Sequence, residues 1–151
     1  MAFICGSDVA RRKLVPRTRA SGTMTEAGFR SWIVSGLRTK SRWWKPMQNA
    51  KNKAKTGRKV VNPKTGKLCM SGICAGCGDE VPLKDLQMDH KEPVVDPAVG
   101  FVSWDVYIER MFPEEDGYQA LCHTCHTEKT SAERAIQTER KRQERENAKR
   151  K

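Results

Sequence analysis

Residues 118–130 read YQALCHTCHTEKT, and the fold is decided in this stretch. Tyr118 to Leu121 has the composition of a short strand and runs straight into the knuckle Cys122-His-Thr-Cys125. His126-Thr-Glu-Lys129-Thr130 then opens a helix that continues through Ala132, Ala135 and Ile136. A second knuckle, Cys74-Ala-Gly-Cys77-Gly78, lies upstream. Two such pairs supply four thiolates, the number that closes a tetrahedral Zn²⁺ at Zn–S bonds of about 2.3 Å. With every position taken by protein, the expected zinc is structural and folding depends on it. Gly78 suits the tight turn that lets backbone amides approach the sulfurs. Cys5 and Cys69 have no obvious partner, and Cys69 is also a candidate fifth ligand.

Residues 78–121 are inserted between the knuckles, and they carry the candidate chemistry. Leu86 to His90 reads as a strand that ends at Lys91-Glu-Pro93. Strand, excursion, strand and helix make a ββα unit whose ends the zinc pins, which is expected to bring Asp89, His90 and His126 near one another. Phosphodiester hydrolysis needs a deprotonated water, an offset for phosphate charge and a stabilised leaving oxygen. A histidine base with an Asp/His-bound divalent ion supplies all three. Neighbours on a regular strand point to opposite faces, so Asp89 and His90 share a site only where the strand ends or twists, as Pro93 makes reasonable. Within the excursion, Ser103 is a cap, and Trp104, Tyr107, Ile108, Met111 and Phe112 recur at helical spacing. They are expected to be core. His123 is an exposed bystander, and Lys129 is either an ordinary first-turn residue or a phosphate contact.

Charge is segregated along the chain. The net charge is +11, but residues 1–68 carry 17 Lys/Arg against 2 Asp/Glu, and residues 69–126 carry 3 against 11. Residues 127–151 return to 9 against 5. Basic arms suit a polyanion, and an acidic centre suits a place where cations are held. Neither arm shows the broad apolar face of a membrane-surface helix, so nucleic acid is the expected partner and a membrane is not. No apolar run approaches a membrane span or a signal peptide, which reads as a soluble, intracellular, cytoplasmic protein. In a reducing compartment the Cys-x-x-Cys pairs favour metal over disulfide. A redox dithiol protein would need a thioredoxin-like pattern that is missing.

Residues 1–23 show no period and read as a loose tail, with Met24 a natural start. A short helix is expected from Thr25, its cap, to Leu37, and a second from about Pro46 to Lys55. Gly57, Asn62-Pro63 and Gly66 mark loop or hairpin turns before Cys69. Arg42, Trp43, Lys45, Lys51, Lys53 and Lys55 are the candidate DNA contacts of this arm, with Lys129 beside the hairpin. Trp43 and Trp44 either stack on bases or pack the arm onto the core. Past Ile136, the pairs Arg140/Glu144, Arg142/Glu146 and Glu146/Arg150 at i,i+4 extend the helix without an apolar face. That tail is frayed or follows DNA.

Asp89-His90, followed by Tyr118-Gln-Ala-Leu-Cys122-x-x-Cys125-His126-x-x-Lys129-Thr130, resembles the zinc-bound subgroup of the HNH endonuclease family. The likeness covers residues 74–130 and is greatest to small phage-type members, through Trp104, Tyr107-Ile108 and Phe112. It implies His90 as general base, with Asp89 and His126 as ligands of the catalytic divalent ion. That ion is Mg²⁺ or Mn²⁺, with Ni²⁺ or Zn²⁺ as further candidates. It also implies a DNA substrate, 5′-phosphate and 3′-hydroxyl products, a setting in a phage-infected bacterial cell, and packaging or recombination proteins as partners. The family's middle Asn or His aligns with Gly117, so either Asp116 substitutes or the backbone holds the loop unaided.

The expectation is therefore an α+β chain: tail 1–23, basic helical DNA-binding arm 24–68, a small ββα-metal core over 69–136 stapled by a four-cysteine zinc, and a basic helical tail 137–151. The expected activity is metal-dependent DNA cleavage, nicking or double-cutting. The alternative is a zinc-held DNA-binding module without catalysis.

Overall fold

The computed structural model describes residues 14–150. Cys5 and the first part of the expected tail lie outside them. The chain divides into two compact units, ending and resuming at Gly36 and Leu37. In the first, β1 (Arg17–Arg19) pairs antiparallel with β2 (Met24–Thr25), so the described end of the expected tail is a hairpin. Ala20, Ser21 and Gly22 turn it with φ of 48°, 54° and 80°. Helix α1 (Glu26–Ser41) follows, and Thr25 Oγ1 accepts from the Gly28 amide at 3.1 Å, the cap its sequence suggests.

In the second unit, α2 (Lys45–Lys53) leads into a three-stranded antiparallel sheet of β3 (Lys55–Val61), β4 (Leu68–Ile73) and β5 (Glu80–Pro82). Here the sequence reading is corrected. The arm is not helical throughout: residues 55–61 are a strand, and a boundary at 68/69 falls inside the β3–β4 hairpin. The reason is chemical. The sheet is centred on polar side chains, not apolar ones. Ser71, fully buried, makes hydrogen bonds with Thr56 Oγ1 at 2.6 Å, the Arg58 carbonyl at 3.0 Å and Glu80 Oε1 at 2.5 Å. A strand with a polar inner face leaves no hydrophobic alternation to read.

The expected hairpin is present. β6 (Gln87–His90) pairs antiparallel with β7 (Tyr118–Leu121), with Met88 opposite Ala120 and His90 opposite Tyr118. Between them α3 (Trp104–Met111) starts at Ser103, whose Oγ accepts from the Val106 amide at 3.3 Å. Tyr107 and Met111 are buried beneath it; Ile108, read as core, is exposed. Helix α4 (His123–Lys149) runs on to the end of the described chain, and its second half carries the Arg140–Glu144 and Arg142–Glu146 pairs. The core is small: Cys74, Leu86, Ala120 and Leu121, flanked by Ala54, Val81, Leu83 and Met88. Gly72 is required there, because a Cβ on it would lie 2.6 Å from Leu86 and 2.8 Å from the Ala54 carbonyl. No helix among the described residues is long and apolar enough to cross a membrane.

Candidate metal centre and the adjoining hairpin

Cys74 and Cys77 stand in the turn after β4, Cys122 caps α4, and Cys125 lies in its first turn. Their four Sγ atoms lie within 4.8 Å of one another, with Cys77 and Cys122 at 3.9 Å. A tetrahedron with bonds of about 2.3 Å has S···S edges of about 3.8 Å, so the donor set fits Zn²⁺ in number, chemistry and spacing. The turn is built for thiolates. Amides of Gly76 and Cys122 donate to Cys74 Sγ at 3.3 and 3.2 Å. Burial pushes the Cys74 thiol up, but amide donors from Cys122, Cys77 and Gly76 outweigh it and bring it down to about 6. Cys125 is pushed up to about 11, first by its hydrogen bond with the Cys122 sulfur and then by burial. Only a cation lets four crowded sulfurs all be thiolates. Cys69 stays outside, its Sγ 3.6 Å from the Val60 carbonyl across the β3–β4 hairpin.

Gly76 is a functional position that sequence reasoning missed. A Cβ on it would meet Cys125 Sγ at 2.9 Å, so the cluster closes only around glycine. Gly78, at φ +79°, supplies the turn. The centre is also tied to the hairpin, since the Ala75 amide donates to the Ala120 carbonyl of β7 at 2.8 Å.

Asp89 and His90, adjacent on β6, have different surroundings. His90 meets the end of α3: its Nε2 lies 3.1 Å from the Met111 carbonyl oxygen and its ring 5.0 Å from that of Tyr118. Asp89 meets α4. Its Oδ2 lies 2.8 Å from Lys129 Nζ and accepts from Gln119 Nε2 at 3.1 Å. Burial alone would lower the Lys129 pKa, but Asp89 and Glu133 override it and raise it. His126 lies in the first turn of α4, where its carbonyl accepts from Thr130 Oγ1 at 2.8 Å. Among the described residues, the four cysteines are the group gathered to metal-ligand spacing; Asp89, His90 and His126 are not drawn together in that way.

At Gly117 the contacts of the loop are made by backbone. Its carbonyl accepts from Lys91 N at 2.9 Å, its amide donates to Glu114 O at 3.0 Å, and a Cβ there would lie 2.6 Å from Pro113 Cβ. The basic candidates divide. Arg42, Trp43, Lys45 and Lys55 are exposed, Lys51 is half-buried, and Lys53 pairs with Glu115. Lys129 is not an open phosphate contact, since its ammonium also reaches Glu133 at 2.7 Å and the His90 carbonyl at 2.9 Å. The Glu133 partner was legible as an i,i+4 pair on the helix; the Met111 carbonyl, being backbone, left no trace in the sequence.

No protein-family model, curated protein or solved structure matches this chain.

Proposed function

We propose that this protein is a zinc-stapled DNA endonuclease of the HNH type, in which His90 takes the proton from the attacking water. The observation that carries the reading is the state of the His90 imidazole. A carbonyl oxygen only accepts, so the contact with Met111 calls for a ring proton on Nε2, and in the neutral imidazole that leaves the lone pair on Nδ1. A general base requires an oriented imidazole that can offer one lone pair to a water, and the Met111 contact orients this ring through its other nitrogen. Support comes from the β6–β7 hairpin feeding α4 through the cysteine cluster, and from the basic segments on either side of an acidic centre.

Asp89 and His126 are the residues that would hold a divalent ion, which offsets charge on the phosphate and the leaving oxygen when bound. With Asp89 engaged by Lys129 and Gln119, they do not form a cage as they stand, and His90 alone carries the proton step. The same Lys129–Asp89 pair favours a second reading, a zinc-held DNA-binding module without catalysis.

Incubating the zinc-loaded protein with supercoiled plasmid, with Mg²⁺, with Mn²⁺ and without added ion, separates the two. Cleavage by the parent that falls on the order of 10² to 10⁴-fold in His90→Ala supports the nuclease. DNA binding without cutting under every condition supports the second reading.

A further inference from the structure

The turn between α1 and α2 holds one tryptophan out and one in. Trp44 is pinned: its indole N–H donates to the Pro113 carbonyl at 2.7 Å, and its ring meets Phe112 edge-on at 5.6 Å. Arg42 is pinned through its carbonyl, which accepts from Gln48 Nε2 at 2.7 Å. The Trp43 amide donates to the Lys40 carbonyl at 3.0 Å, and Ser41 Oγ donates to the Arg38 carbonyl at 2.9 Å. The backbone at Trp43 is therefore set from both sides, while its side chain is 81% exposed and touches no other aromatic ring among the described residues. Arg38, Lys40, Arg42 and Lys45 surround it in sequence; all four are exposed and none pairs with a carboxylate among the described residues.

This combination selects its occupant by chemistry. An apolar protein surface would cover the indole but leave four cations desolvated and unpaired, which is costly. Phosphates match the cations, and an aromatic face matches a base face. In an intact duplex the base faces are stacked on one another and present only their edges, so an indole on the outside finds none. We infer that Arg38–Lys45 is a stacking site for an unpaired base, with its flanking phosphates held by the four cations. The preferred DNA then carries a single-stranded segment. This rests on the nucleic-acid part of the proposed function and is independent of catalysis.

The test uses the full zinc-loaded chain without added divalent ion, so that cutting does not interfere. Fluorescence anisotropy compares a blunt duplex with the same duplex carrying a twelve-thymidine tail. The parent binds the tailed duplex more tightly. Trp43→Ala lowers that affinity on the order of 5- to 100-fold and leaves blunt-duplex affinity within about 2-fold, since base stacking is a per-base effect. Its salt slope is unchanged, whereas Arg42→Ala lowers the slope by about one. Thermal melting of Trp43→Ala matches the parent, as an exposed ring requires. Equal binding of both duplexes by the parent, or an unchanged tailed-duplex affinity in Trp43→Ala, overturns the stacking site and leaves general DNA binding standing. A parent that binds neither duplex overturns both.

Discussion

The ammonium of Lys129 lies 2.8 Å from the carboxylate of Asp89, and with Glu133 and the His90 carbonyl it has an acceptor for each of its three hydrogens. An internal cation thus stands at the carboxylate that the resemblance assigns to a divalent ion.

Lys129→Met should therefore tighten Mn²⁺ binding if Asp89 is a ligand, on the order of 5-fold, because the ion no longer competes with a partly exposed ion pair. Calorimetric titration of Mn²⁺ into zinc-loaded parent and variant measures it. Weaker Mn²⁺ binding in the variant would mean that the lysine supports the carboxylate instead of competing for it.

The cysteine cluster should hold one zinc per chain. Structural zinc contributes about 10–16 kcal/mol of apparent binding, comparable to or above the whole stability of a small domain. Cys125→Ser, or chelation, should then melt the second unit, as followed by circular dichroism and elemental analysis. Gly76→Ala should weaken zinc retention without removing a ligand, since its methyl would lie 2.9 Å from Cys125 Sγ. A zinc-free chain with a native spectrum would rule out the staple.

Placing a side chain at Gly117 should damage this chain. Gly117→Asn places a Cβ 2.6 Å from Pro113, whose carbonyl anchors Trp44, so the loop must move. Overpacking of this kind costs about 1–3 kcal/mol. A lower melting temperature at fixed zinc is expected, with no gain in cleavage; a melting curve identical to the parent's would contradict it.

Hydrogen bonds from Ser71 and then Thr56, with Arg58 beside them, hold the Glu80 carboxyl below its ordinary 4.5. A carboxyl whose pKa is depressed on folding adds stability that is present above its ordinary value and lost as pH falls through the depressed one. Melting temperatures of parent and Glu80→Gln should therefore converge as the pH drops below about 4.5, with the parent ahead at neutral pH. Comparing the two proteins at each pH removes the contribution of zinc release. A constant difference across the range would show that the carboxyl's charge is irrelevant to the sheet.

The clustered cysteine quartet, the β6–β7 hairpin and the capped starts of α1 and α3 were all legible in the sequence. Each is a local code: thiol spacing, a short strand ahead of a knuckle, or a hydroxyl placed to accept an amide. Only tertiary structure decided the rest, because it depends on groups that carry no side-chain signature or that meet from afar. The polar β3–β5 sheet had no apolar period. The His90 ring met a backbone carbonyl 21 residues away. Trp43 and Trp44, identical in type and adjacent in sequence, were separated only when Pro113, 69 residues downstream of Trp44, offered one of them an acceptor and left the other in solvent.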